Sequence, residues 1–489
     1  MTIQNKLMRG SNTIYKRYKD FFSKFIYTDF YLALVCIIVF TGWVTKCAPL
    51  GITLAVAISC MTLLAADDVL PLTVNFFSAT LLVYSHNFDD YTKMWPLAIP
   101  LGLCFLVFLI KNGKHTFSFG KLFLPLLAIA YAMLIGGAGV LIKDDFMRVL
   151  PDFVILGLGV PVVYLFFNHY LKHDDKRDIP LYFAKTMMYI GLAICLELIT
   201  VIALSNEPVR NWHNIAWDLG WGNRNPVATY LICTASMTMY LSTRYRQGWI
   251  FLALGIFQYG CLIATFSRGG IIFGVLSGIV AVIFTIIKAP DKKRQLLNIG
   301  LVLLGMIIFY LSVMNSVNTM VLSLIKRGMG SSGRTELFKE AWELFKAHPI
   351  FGVGKGYMGP NTPPSAIGVY FFHSTFFQVI ACMGIVGLAA YAYFYIVRLK
   401  ILFKNIKHSF NLFCLALLIG FEGYSLLDTG TFIAYPFMAL IVIITLLLER
   451  VQTDFSGYVT PYNYSTPWGA KIVEKENQLV QKFKAKFKK

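Results

Sequence analysis

Runs of about 20 mostly apolar residues, the length a helix needs to cross a bilayer, recur along the whole chain. Fourteen of them predict spanning helices at 30–46, 48–66, 69–85, 95–111, 121–142, 150–171, 181–205, 226–243, 249–266, 270–288, 296–318, 372–398, 410–427 and 431–448. The pairs 48–66/69–85 and 410–427/431–448 read as tight hairpins or as re-entrant pairs, so about 12–14 transmembrane helices are predicted. Residues 1–29 carry Ile14, Tyr15, Tyr18, Phe21, Phe22, Phe25 and Ile26 at helical spacing among Lys16, Arg17, Lys19 and Lys24. That predicts a basic amphipathic segment on the membrane surface, and no cleavage-site pattern follows it. The tail 449–489 ends in a basic run from Lys482 to Lys489 that suits a lipid surface.

One internal stretch, 319–371, is too long and polar to span. Within it Leu337, Phe338, Ala341, Trp342, Leu344 and Phe345 form an apolar stripe, with Glu336, Lys339, Glu340, Glu343 and Lys346 on the other face. This predicts an amphipathic helix, opened near Ser331-Ser332-Gly333 and closed by Pro349, lying apolar side down on the membrane. The fold class is therefore an all-α polytopic membrane protein. It divides into the segment 1–29, a bundle over 30–318, the large loop 319–371, a second part of the bundle over 372–448, and the tail 449–489.

Composition supports this. The chain of 489 residues is 57% hydrophobic and 14% charged, against about 25% charged in a soluble domain. A disordered chain is excluded and a soluble enzyme disfavoured. The net charge of +19 suggests nucleic acid only until the charges are placed. With the N-terminus in the cytoplasm, most Lys and Arg fall on inner loops and tails, which makes both termini cytoplasmic and puts 319–371 on the outer side. The charge then reflects topology and contact with anionic membrane lipids, and no nucleic-acid partner is expected. Nine cysteines lie in or beside apolar runs without a CxxC pair, so neither metal nor disulfide chemistry is expected from them.

Candidate chemistry gathers on the outer side. Arg268 sits in the tight connection Thr265-Phe266-Ser267-Arg268-Gly269-Gly270, Arg334 opens the loop helix, and His373 stands at the mouth of the twelfth span. An arginine in an apolar run is a functional candidate, and snorkelling to lipid phosphate is the plain alternative. Two arginines and a histidine could hold a diphosphate and take a proton from a hydroxyl. Gly352-Val353-Gly354-Lys355-Gly356 is either a tight turn or an amide-lined anion site, with no preceding strand to make it a dinucleotide fingerprint. The pairs Asp67-Asp68, Asp89-Asp90, Asp144-Asp145 and Asp174-Asp175 read as solvated loop edges. Glu197, Glu422 and Asp428 lie in or near spans and are open as partners for the arginines. Trp212, Trp217 and Trp221 are membrane anchors or sugar platforms.

Several of these elements in order resemble the O-antigen ligase/polymerase family. They are Gly222-Asn223-Arg224-Asn225-Pro226, Ser267-Arg268-Gly269, Gly333-Arg334 with Trp342, His348-Pro349-Ile350-Phe351-Gly352-Val353-Gly354, and His373 followed by Gly384-Ile385-Val386-Gly387-Leu388. The resemblance covers about 220–395. Members often carry His-Asn where this chain has His373-Ser374. The resemblance implies an inverting, metal-independent glycosyltransferase without a cofactor, at the outer face of the cytoplasmic membrane. Its donor would be an undecaprenyl-diphosphate-linked glycan, and its acceptor another glycan or a lipid. Arg268, Arg334 and His373 would be catalytic, while Arg224, Gly352, Gly354 and Lys355 would bind substrate. The competing reading is a transporter or flippase of lipid-linked saccharide, which would carry its polar groups near the midplane in two repeated halves; no clear repeat is present.

Overall fold

The computed structural model describes residues 20–459 apart from 86–92, 114–117, 142–146, 148, 152, 173–176, 205–218, 220–223, 327–332, 360–369, 429, 431–434, 452 and 456. Each of the fourteen apolar runs contains a helix. They are α1 (Asp29–Val44), α2 (Ala48–Ala65), α3 (Leu72–Ser85), α4 (Ala98–Asn112), α5 (Phe123–Ile135), α6 (Gly159–Tyr170), α7 (Ile179–Leu204), α8 (Arg224–Arg244), α9 (Gly248–Ala264), α10 (Arg268–Lys288), α11 (Lys292–Lys326), α13 (Thr375–Lys404), α14 (Ser409–Ser425) and α15 (Tyr435–Arg450). The predicted loop helix is α12 (Arg334–Ala347). Among the described residues seven helical stretches have the length and apolarity of a membrane span, four shorter apolar helices accompany them, and no strand is formed. The chain is an all-α polytopic membrane protein. Long apolar side chains such as Leu103, Leu106 and Ile110 on α4, and Leu301, Leu304, Ile308 and Leu311 on α11, stay exposed, as lipid-facing surfaces do.

Among the helices of the fourteen apolar runs, the one at the centre is the least apolar. Every α8 residue from Val227 to Arg244 is buried, and α7, α9, α10 and α14 pack around it. Its hydroxyls are satisfied locally: Thr229, Ser236 and Thr238 donate to the carbonyls four residues back, at 2.8–3.0 Å. Ser236 also meets Tyr259 (2.8 Å) and Ser277 (3.1 Å). Local bonding of this kind makes polar residues tolerable in a helix interior.

Helix α8 separates two polar ends of the bundle. At the Arg244 end, Arg244 pairs with Asp178 (2.5 Å), and its Nε donates to the carbonyl of Gly457 (3.0 Å). Arg177 meets Asp67 at 3.0 Å and Asp68 at 3.5 Å. Asp67-Asp68 is thus not a solvated loop edge. Asp68 is fully buried and accepts the Leu70 amide at 2.5 Å. Residues that pair from distant parts of the chain leave no local sign in the sequence. The other aspartate pairs, the three tryptophans and most of the two terminal segments fall outside the described residues.

Helix α12 does not rest simply on a membrane surface. Ala341 is fully buried, Leu337 and Leu344 pack on the core, and Phe338 stacks on Phe377 of α13 (centroids 4.5 Å apart, 15° between planes). Trp342 stays exposed. The apolar stripe is shared between α13 and the outside, because it is wider than the one facing helix.

Candidate active site

The other end of the bundle, where α8 begins, is built on helix N-termini. Arg224 opens α8, Arg268 opens α10 and Arg334 opens α12. Helix α13 begins at Thr375, two residues after His373. Side chains tie these four starts together. Asn225 and Tyr424 both bond Ser267 Oγ, at 2.9 and 2.7 Å. Tyr424 donates to Asp428 Oδ2 at 3.4 Å. Asp428 Oδ2 then lies 3.6 Å from Arg334 Nη2, and its Oδ1 lies 3.6 Å from His373 Nδ1. The Asp428 carbonyl accepts the Thr375 amide at 3.1 Å. The contacts to Arg334 and His373 are longer than hydrogen bonds.

This placement is electrostatically unusual. A helix N-terminus carries about half a positive charge and favours anions nearby. Here three such ends carry an arginine as the first helical residue. Neither Ser267 nor Ser374, the caps of α10 and α13, bonds its own helix's first amides with its side chain. Asp428, 14% exposed at its side chain, sits among them as a counter-charge. Such an arrangement suits an anion with several oxygens.

The backbone here is also constrained. Phe266 (φ 56°), just before Ser267-Arg268, and His373 (φ 51°) lie in the left-handed region without being glycine. Residues held so cost about 1–3 kcal/mol each and persist where surroundings over-determine them. Glycine is needed at 269, where a Cβ would meet the Tyr424 ring at 2.7 Å. That close approach lets the start of α10 lie against Tyr424.

The glycine motif does different work. Its amides are already committed: Gly352 donates to the His348 carbonyl (3.0 Å), Val353 to that of Ala381 (2.8 Å) and Gly354 to that of Cys382 (2.9 Å). The carbonyls of Ala381 and Cys382 are freed by a break in α13 at Gly384 (φ 60°, ψ −150°). In return Ile385 and Val386 donate to the carbonyls of Pro349 and Ile350. Gly352 and Gly354 therefore form a brace, not an open amide cradle. Lys355 follows it, with only 3% of its surface exposed.

Of the sequence-predicted residues, Arg334 and His373 thus meet at Asp428, and Arg268 and Arg224 flank the Ser267–Asn225 bond. Gly352, Gly354 and Lys355 belong to the brace behind. Sequence reading left Asp428 without a partner, noted Ser267 and Asn225 only as parts of motifs, and missed Tyr424. Glu422, also left open, pairs with the buried Arg398 of α13 at 2.6 Å. No group of three or more His, Cys, Asp or Glu able to hold a metal occurs among the described residues.

Residues 250–392 match the family model described as O-antigen ligase. This stretch is an O-antigen ligase-family domain. It contains Arg268, Arg334 and His373, and the contacts above extend the site beyond it, to Asn225 on one side and to Tyr424 and Asp428 on the other. No curated protein matches the chain. The O-antigen ligase domain points to a glycan-transferring membrane enzyme, with a lipid-linked glycan and an acceptor as partners.

Proposed function

We propose that the protein is an inverting, metal-independent glycosyltransferase. It takes a glycan from an undecaprenyl-diphosphate donor at the outer face of the cytoplasmic membrane and passes it to a glycan or lipid acceptor. The observation that carries this reading is the meeting of Arg334 and His373 at Asp428, tied through Tyr424, Ser267 and Asn225 to the arginine-headed starts of α8 and α10. The termini lie in the cytoplasm, as the distribution of Lys and Arg favours, and the arginine-lined end faces outward.

In this reading the donor's diphosphate lies against Arg268 and Arg334, with Arg224 nearby. The acceptor hydroxyl attacks the anomeric carbon from the face opposite the diphosphate. Its O–H proton passes to His373 Nε2, while Asp428 faces Nδ1 and fixes the ring. The bond between the anomeric carbon and the phosphate oxygen breaks, and undecaprenyl diphosphate leaves with the electron pair. The arginines and helix N-termini stabilise the charge gathering on that leaving group. A bond formed with inversion needs no covalent enzyme intermediate, which agrees with a site whose nearest carboxylate is engaged by a cation and a histidine.

The test is reconstitution of the full chain in vesicles with lipid-linked glycan, chelator present, first alone and then with candidate acceptors. A ladder without acceptor identifies a polymerase, and a single transfer needing acceptor identifies a ligase. Arg268→Ala, Arg334→Ala and His373→Ala are each expected to reduce transfer about 100- to 1000-fold while the protein stays in the membrane. Full transfer by these variants would overturn the assignment. Movement of labelled lipid-linked glycan across the bilayer with no bond formed would establish the transporter reading instead.

A further inference from the structure

We propose that Glu340 is a positioning residue that couples the helix carrying Arg334 to the strap carrying His373. Its role in turnover rests on the glycan-transfer reading above, whereas its geometry does not. Glu340 belongs to the face of α12 that the sequence assigns to solvent, yet both its carboxylate oxygens are used. Tyr357 donates to Oε1 at 2.8 Å, and Tyr370 donates to Oε2 at 2.9 Å. Burial and the adjoining carboxylate push the Tyr370 hydroxyl up to about 12, and Tyr357 shifts upward for the same reasons. Both phenols therefore remain protonated donors.

One carboxylate thus ties Tyr357, just after the glycine brace, to Tyr370 on the strap. Tyr370 stands three residues before His373. The Tyr357 ring lies parallel to Phe372 (6.3 Å, 11°), and the Tyr370 ring packs edge-on to it (5.2 Å, 79°). Gln378 secures the same strap from below, accepting the Phe372 amide (2.8 Å) and donating to the Tyr370 carbonyl (2.9 Å). The left-handed backbone of His373 is thus held by α13 through Gln378 and by α12 through Glu340. Arg334 lies six residues before Glu340 on the same rigid helix, about 9 Å along its axis. Through this link the cation facing the leaving group and the base facing the acceptor keep one spacing.

Cutting the link need not unfold the protein. Phe338 stacked on Phe377 and the buried Ala341 continue to dock α12 on α13. What loosens is the strap relative to the helix. Misplacing a reacting group by about 1 Å costs about 100-fold in rate.

The experiment uses the full chain in vesicles. Glu340→Ala is expected to lower kcat about 10- to 100-fold, with donor KM unchanged within about twofold, and to speed amide hydrogen exchange over 370–375. Glu340→Gln keeps one acceptor oxygen and should recover part of the rate. Tyr357→Phe and Tyr370→Phe should each fall between wild type and Glu340→Ala. The proposal is overturned if exchange over 370–375 is unchanged in Glu340→Ala. It is also overturned if KM rises while kcat holds, since Glu340 would then be a substrate ligand. If the wild-type protein forms no glycosidic bond, the function proposed above fails, and the exchange measurement alone decides the coupling.

Discussion

At the scale of single residues the site turns on Asp428. Its carboxylate faces Arg334, His373 and Tyr424 together, so removing its charge alters three groups at once. Asp428→Asn keeps the shape, and one amide oxygen can still accept from Tyr424. It leaves Arg334 without this counter-charge and His373 Nδ1 without an anion to orient it. Transfer is expected to fall about 100-fold, with the amount of protein in the membrane unchanged. Tyr424→Phe removes the 2.7 Å bond to Ser267 and the longer donation to Asp428 but no charge, and is expected to cost about tenfold. Glycan transfer measured on both variants checks the order, and a fully active Asp428→Asn would contradict the role given to it. Arg268, Arg334 and His373 were legible in the sequence because charged groups at the mouths of apolar runs are conspicuous. Tyr424 and Ser267 were not, because a tyrosine or serine inside such a run looks the same whether it fills the core or links two helices.

At the scale of elements, the helices were legible and their joints were not. Every apolar run became a helix, since a lipid-exposed backbone has to satisfy its own hydrogen bonds. The break in α13 was hidden, because glycine in a membrane helix is common and Gly384 becomes a joint only through what packs against it. There a Cβ would stand 2.5 Å from the carbonyl oxygens of Pro349 and Ile350. The same contact explains why Gly352-Val353-Gly354 resisted reading: the Val353 and Gly354 amides pair with the distant carbonyls of Ala381 and Cys382, which no local pattern announces. Gly384→Ala therefore forces both a left-handed alanine and a backbone clash. It is expected to destabilise the protein by at least about 1–3 kcal/mol, seen as a lower unfolding temperature in detergent. Gly300→Ala on α11 is the contrast. A Cβ there meets nothing within 4 Å, and the higher helix propensity of alanine should leave stability equal or up to about 1 kcal/mol greater. Equal effects at the two positions would rule out the brace as a structural joint.

At the scale of the whole molecule, α8 joins the arginine-lined site to an opposite end made of paired charges, and the sequence showed the charges there but not the pairs. Arg177 is 110 residues from Asp67, so Asp67-Asp68 looked like an ordinary hydrophilic turn between two spans. In the folded protein the two carboxyls behave oppositely. Burial raises Asp67, but Arg177 and Lys172 outweigh that and hold it at about 2. Burial dominates at Asp68, against the Leu70 amide and Arg177, and pushes it up to about 6. An unfolded aspartate titrates near 3.9. Asp67 therefore contributes stability that is present above about pH 4 and is lost as pH falls toward 2. Asp68 runs the other way: between pH 6 and 4 the folded protein binds a proton that the unfolded chain does not, so acidification through that window favours the fold. A shift of about two units corresponds to roughly 3 kcal/mol. Asp68→Asn keeps an oxygen for the Leu70 amide and leaves Arg177 its contact with Asp67. It is expected to unfold at a higher temperature than wild type at pH 7.5, with the difference shrinking by pH 5. Comparing the two proteins at each pH cancels the distant carboxylates, and Asp67, held at about 2, does not titrate in that window. A difference that stays constant from pH 7.5 to 5 would mean that Asp68 is ionised throughout, held by Arg177 as firmly as its neighbour.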